Sequence, residues 1–377
     1  MNLAFSEEQV MLRDLVRGVC EEHSPLAVVR EMEDDAKGYP DTLWKQLGEV
    51  GLAGLLVPAE YGGSGQGLLD AVVVYEELGR ALAPVPHFVS CVISAGLLVR
   101  GGDEAQRREW LARIGAGEVV LSPAWLEPGN GFGAKGVQLR AEADGDAFVL
   151  TGTKHLVPFA SAATRLIVLA RSGDADAAVD LFLVDPGAEG VSLVQRHSLA
   201  SDCQYEVRFD GVRVASDARI GAAGAGWGHW ERTLEDAIVL LAAQAMGGAE
   251  KALEITIEYA KERKQFGKPL AAFQSISHYL ADAHTQIDGG RTLVYKAASV
   301  RDAGGATERL AAMAKLFACQ TFRDVTAMCQ QVWGGVGFTI EYDIQLFFRR
   351  AKQLQITWWD SSFLEQRIAA DVLRKGL

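Results

Sequence analysis

The sequence predicts an α+β protein in which helices come first, strands follow and helices return. Three observations lead there. Apolar residues recur at a helical spacing of about 3.6 from Leu3 to about Ile114. The spacing falls to about two between Val119 and Gly228, and becomes helical again from Trp230 onward. A chain of 377 residues exceeds one ordinary core, so the changes of period are taken as domain limits. The expected domains are 1–118, helical; 119–228, β; and 229–377, helical.

The elements follow in order. Ser6 before Glu7 and Glu8 reads as a helix N-cap with acids in the first turn, and Val10, Met11, Leu15 and Val19 continue at helical spacing. Thr42–Val50 and Leu68–Leu82 repeat the pattern, separated by the Pro/Gly punctuation of Val57–Gly67. In the middle, Tyr205, Val207 and Phe209 alternate with Glu206, Arg208 and Asp210, as a half-buried strand requires. The stretches AFVLTG, RLIVLAR and VDLFLVDP read as further strands. In the last third, Ile238, Leu241, Ala245, Gly248, Ala252, Ile255 and Tyr259 share one helical face, where Ala and Gly let helices approach closely. Thr307–Val332 reads as a second long helix.

Composition excludes several classes. The net charge of −12 argues against binding a nucleic-acid backbone. Hydrophobic residues at 49% and charged ones at 23% exclude a largely disordered chain. No apolar run approaches the roughly 20 residues of a membrane span, and the acidic start lacks the basic region of a signal peptide. Cys20, Cys91, Cys203, Cys319 and Cys329 form no CxxC pair, which favours reduced thiols in a cytoplasm. His278 and His284 miss the i,i+4 spacing, so no metal site is expected. The glycine clusters Gly129–Gly133 and Gly221–Gly228 match neither a dinucleotide fingerprint nor a P-loop and read as loops.

Two segments are more specific. Arg263-Lys-Gln-Phe-Gly-Lys-Pro-Leu-Ala-Ala-Phe-Gln274 and Gln331-Val-Trp-Gly-Gly-Val-Gly-Phe338 each follow a long helix. An Arg fork suits a pyrophosphate, Gln offers donor and acceptor, and Gly lets backbone N–H groups come close to an anion. Together they resemble the two FAD signatures of the acyl-CoA dehydrogenase family. SEEQVMLRDLVR, VPAEYGGSG and FDGVRV extend the resemblance from about Leu3 to Ala370.

The resemblance implies an N-terminal helical domain, a central β-barrel or sandwich domain and a C-terminal four-helix bundle. It implies FAD bound between subunits and α,β-dehydrogenation of an acyl-CoA thioester. In that reaction a carboxylate takes the α-proton, a hydride passes to the flavin, and electrons leave to an electron-transferring flavoprotein. Carried over by position, Arg263, Phe266, Gln274, Gln331, Gly334 and Gly335 would hold the ADP half of a neighbour's FAD.

The flavin-ring side departs from the family pattern. Where members carry a T-E-P-x-A-G-S loop, this chain has Trp125-Leu126-Glu127-Pro128-Gly129-Asn130-Gly131-Phe132, with Leu126 and Phe132 at the hydroxyl positions. The K-x-W-I-T strand becomes Lys154-His155-Leu156-Val157-Pro158, so Leu156 replaces the covering Trp and Pro158 has no N–H to give. Of two base positions in the family, one holds Trp358 and the other Ala237, and neither side chain takes a proton at neutral pH. Asp236 and Glu235, one and two residues before Ala237, turn about 100° and about 200° away from it on a helix. Asp360 has two readings, a base whose pKa rises beside Trp358 and Trp359, or the N-cap of a helix. His155 is a fallback base.

Three functions follow as expectations. The first is an acyl-CoA dehydrogenase acting as an oligomer, in fatty acid or steroid catabolism. The second is a non-catalytic partner subunit, as in branches resembling steroid side-chain degraders that pair unlike chains as α2β2. The third is a CoA-thioester binding protein without redox chemistry.

Overall fold

The computed structural model describes residues 5–176 and 178–375. The expected helical start at Leu3 lies outside the described residues. In chain order the helices are α1 (Glu7–His23), α2 (Leu26–Glu31), α3 (Asp41–Glu49), α4 (Leu68–Arg80), α5 (Ala95–Gly101) and α6 (Glu104–Gly115). The strands β1 (Leu121–Ala124), β2 (Arg140–Asp144), β3 (Ala147–Pro158), β4 (Arg165–Arg171), β5 (Val179–Val184), β6 (Val191–Arg196), β7 (Gln204–Ala215) and β8 (Arg219–Ile220) follow. Then come α7 (Gly226–Glu262), the short strands β9 (Lys264–Gln265) and β10 (Lys268–Pro269), α8 (Gln274–Asp302), α9 (Glu308–Trp333), α10 (Ile344–Ile356) and α11 (Ser361–Lys375). The α, β, α order of the sequence is the order observed. One boundary differs: α7 begins at Gly226, inside the second glycine cluster, where Asp180 Oδ1 accepts the Gly224 N–H at 2.6 Å.

The chain forms two compact units. One comprises residues 30–66 and 84–237. Its sheet runs β6–β7–β3–β2–β4–β5–β8, with β1 parallel to β4. The strands β4 and β5 are buried almost throughout, which explains their unbroken apolar runs, whereas β7 alternates. Leu150, Val157, Phe182, Val207 and Phe209 form the centre of the core. The β3–β7 ladder shifts register between Lys154 and Val157, and this bulge places Leu156 at φ 51° with its side chain exposed.

The other unit holds α1, α4, α8–α11 and α7 from Ile238 onward. The Ser6 cap is present as a full capping box with Gln9. A Cβ at Gly248 would stand 2.5 Å from the Phe322 ring, so α7 and α9 need Gly there. A part-buried charge network crosses this unit: Arg17 and Arg80 meet Glu77, Arg80 reaches Glu250 and Glu254, and Arg291 binds Glu250 beside Glu76. Burial pushes the Glu76 carboxyl up to about 7, against the pull of Arg291. No described helix is long and apolar enough to cross a membrane, and no described cluster of His, Cys, Asp or Glu could hold a metal.

Candidate active site

The candidate residues fall into three places, the first being the edge where α7 and α9 end. The sequence Lys264–Pro269 forms a two-residue hairpin whose loop, Phe266-Gly267, has both φ values positive, at 51° and 78°. That is the turn matching the strand twist, but it places a bulky Phe where Gly or Asn is usual. Phe266 is 92% exposed. Leu270 N–H bonds the Arg263 carbonyl at 2.9 Å and closes the hairpin base. The α9 helix stops at Gly334, φ 68°, which a Cβ would strain. A Cβ at Gly334 or Gly335 would meet no atom within 4 Å, so this backbone lies open.

The two ends are joined by packing. Tyr259, one turn before Arg263, stacks on Trp333 at 4.0 Å and 10°, and Trp333 Nε1 donates to Thr256 Oγ1 at 3.0 Å. The arrangement thus brings Arg263 and Gln331, both exposed, to neighbouring helix ends. Among the described residues no ion pair engages Arg263. A free guanidinium, exposed amides at Gln274 and Gln331, and an open Gly-Gly backbone are a donor set that fits a diphosphate and an adenine.

The second place lies in the β unit, around a buried ion pair. Lys154, fully buried, donates to Glu127 Oε1 at 2.6 Å and to the Trp125 carbonyl at 3.2 Å. The same Glu127 oxygen accepts the Gln138 and Leu139 N–H groups at 2.9 Å each, and its other oxygen accepts from Asn130. Burial lowers the Lys154 ammonium to about 8, although Glu127 pulls the other way. The hub fixes the 125–130 loop against β3, where the His155 N–H bonds the Leu126 carbonyl at 2.8 Å.

At the positions where the family carries hydroxyls, Phe132 stacks on Trp125 at 5.8 Å, which in turn packs on Trp230 at 4.9 Å. Pro158 is buried, and its carbonyl accepts the Ser122 hydroxyl at 2.5 Å. The side chains of Leu126, Phe132, Leu156 and Pro158 offer a flavin ring no hydrogen bond. The ring half of an FAD site therefore does not fit at these side chains, while the ADP half fits at the helix ends. Ala237 is fully buried, and neighbouring Asp236 is ion-paired with Arg100. His155 Nε2 lies 3.2 Å from Glu206, whose carboxyl Arg196 holds below the usual range.

The third place is the connector from α10 to α11. Trp358 and Trp359 both have left-handed φ, at 53° and 73°. Trp359 is fully buried under Arg367, 4.4 Å from its ring. Asp360 Oδ1 accepts the Phe363 N–H at 2.8 Å, so its carboxylate caps α11. The sequence reading missed two residues here and in the β unit, Lys315 and Lys154. Each had a signal: Lys315 stands alone on the apolar face of Ala311, Ala312, Ala318 and Phe322. Lys154 puts a charge inside the otherwise largely apolar strand β3.

Comparison with known proteins agrees along the whole chain. Family models of the N-terminal, middle and C-terminal domains of acyl-CoA dehydrogenases match residues 6–118, 122–212 and 224–371. A probable acyl-CoA dehydrogenase of Bacillus subtilis is 31% identical, covering 99% of this chain and 100% of its own length. The CarC subunit of the caffeyl-CoA reductase–Etf complex of Acetobacterium woodii is 29% identical, with 98% and 100% covered. The crystal structure of the ChsE4–ChsE5 complex from Mycobacterium tuberculosis superimposes with a TM-score of 0.90 at 26% identity, covering 100% of both chains. With its helix–sheet–helix order and these matches along its length, this chain belongs to the acyl-CoA dehydrogenase family, FAD-dependent oxidoreductases acting on the CH–CH bond of acyl-CoA thioesters.

Proposed function

We propose that this chain works in the α,β-dehydrogenation of an acyl-CoA thioester as one subunit of an oligomer, completing a neighbour's FAD site. The observation that carries this reading is the unengaged donor set at the ends of α7 and α9. Arg263 would pair with the diphosphate, Gln331 and the Gly334–Gly335 backbone would line the ADP, and Gln274 and exposed Phe266 would flank it. Bound FAD supplies a two-electron acceptor. The relative from an Etf complex supports an electron-transferring flavoprotein as the onward acceptor.

The ring side favours a second, finer reading. Trp358 and Ala237 occupy the base positions, Asp360 caps a helix, and no side chain at Leu126, Phe132 or Pro158 donates to the ring. The base and the ring cradle then belong to a sister chain of the same family, and this chain is its partner. A complex of two differently named chains among the structural relatives supports that arrangement. The experiment is purification of the chain alone and after co-expression with a family member that retains the Glu and Thr. The ratio of absorbance near 450 nm and 280 nm is then read. Flavin well below one per subunit alone, rising on co-expression, is expected. Stoichiometric flavin in the lone chain with steady turnover would leave an ordinary homo-oligomeric enzyme. Flavin absent in both would leave a CoA-thioester binding protein.

A further inference from the structure

Lys315 lies on α9 and is wholly buried. Its Nζ donates to the carbonyls of Leu354 at 3.1 Å, Thr357 at 2.9 Å and Trp359 at 2.7 Å. An ammonium has three donors, and all three are used. Leu354 belongs to the last turn of α10, whose carbonyls have no partner within their own helix. The other two acceptors bracket Trp358. This connector is strained: two successive indole side chains occupy left-handed backbone, a conformation that bulky residues adopt only where the surroundings impose it. Burying a cation without a carboxylate contact is also costly, so the site joins two unfavourable features that each make sense only through the other.

We propose that Lys315 is a positioning residue, whose ammonium holds the α10–α11 connector in its left-handed form and so fixes where residue 358 stands. The consequence for the reaction rests on the reading of position 358 as the place of the family's base; the clamp itself does not. The Thr357 and Trp359 carbonyls anchor the connector on both sides of Trp358, and the Asp360 cap anchors its far end on α11. Without the ammonium, the Thr357 and Trp359 carbonyls lose their lysine donor, the Leu354 carbonyl keeps only the Cys319 thiol at 3.6 Å, and the strained form loses the contacts that select it.

The test uses the full chain labelled with 5-fluorotryptophan, in the oligomeric form in which it purifies. The resonances of Trp358 and Trp359 are assigned through Trp358→Phe and Trp359→Phe. In Lys315→Met, close in volume and apolar, these two lines should move or split while the other six of the eight tryptophans stay in place. Amide exchange over residues 355–361 should quicken by at least about tenfold, with α9 itself unchanged, as for a local opening. Adding Trp358→Gly should slow that exchange again, because Gly accepts positive φ without strain. Unmoved fluorine lines, or failure of Trp358→Gly to restore protection, would overturn the clamp. Should Lys315→Met not fold, Lys315→Gln, with two donors for three carbonyls, takes the same measurements and the same criteria. In the Trp358→Glu background Lys315→Met should lower kcat and leave KM unchanged. Inactivity of Trp358→Glu with the fluorine effect intact would sink the base reading alone.

Discussion

Two segments of the helical unit carry the same backbone oddity and resolve it in opposite ways. At the Phe266-Gly267 turn an aromatic residue sits in left-handed backbone and is 92% exposed, beside an Arg263 whose guanidinium has no ion pair among the described residues. At Trp358–Trp359 the second ring is wholly buried, the carbonyls are taken by Lys315 and the carboxylate of Asp360 by a helix end. The first segment has donors with no acceptors, and its apolar ring meets water. The second has the Thr357 and Trp359 carbonyls and the Asp360 carboxylate paired within the chain, although the buried Trp359 indole N–H has no hydrogen-bond partner. A charged group left unpaired at an exposed edge is open to a partner outside the chain, whereas a buried ammonium with all three donors used holds the chain's own shape. The contrast sets an exposed edge with open donors, the proposed cofactor edge, against a connector held in place by its own chain.

The largest test of that contrast is a gain. If position 358 is the place of the base and only its side chain has changed, Trp358→Glu should raise dehydrogenation at least ~10²-fold, the usual contribution of a general base. Turnover of a saturated acyl-CoA with a dye acceptor, in the flavin-loaded oligomer, reads it out. An unchanged rate would show that the connector presents residue 358 elsewhere or that no flavin ring faces it in this chain. At the other segment the expected effect is a loss. Arg263→Ala should weaken flavin retention by roughly 1.5–3 kcal/mol, about ten- to hundredfold, as for a hydrogen bond to a charged group. Titration of the apo-oligomer with FAD measures it, and unchanged affinity would remove Arg263 from the site.

Much of this was legible in the residues, for physical reasons. Periodicity marks an element wherever one face is buried, so β7 and the α7 face could be read directly, and β4 and β5 by their unbroken apolar runs. The exposure of Arg263, Gln331 and Gly335 at the helix ends follows the pattern of Arg, Gln and Gly after each long helix, and their proposed cofactor role rests on that pattern. The clamps were not. Lys154 and Lys315 act through carbonyls and a carboxylate brought from 27 to 44 residues away, and no local pattern encodes such a contact. The start of α7 within a glycine cluster was hidden for the same reason: Asp180, 44 residues earlier, fixes the turn before it.

The smallest effect decides the role of Asp360. Its carboxylate bonds the Phe363 N–H in the first turn of α11, where the helix dipole also favours a negative charge. As a cap, Asp360→Ala should cost about 1 kcal/mol, whereas Asp360→Asn, an equally good cap, should cost a few tenths at most. A base behaves otherwise, since Asn keeps the shape and removes the proton acceptor. If an active preparation of this chain depends on Asp360, the Asn variant should lose at least ~10²-fold in turnover at nearly unchanged stability. Denaturant unfolding of both variants, with turnover of the same samples, separates the two roles. Burial pushes the Lys315 ammonium below its usual range, and the Asp360 charge pulls the other way. A cap alone predicts Ala below Asn in stability and equal turnover in both. A carboxylate doing chemistry predicts equal inactivity in both.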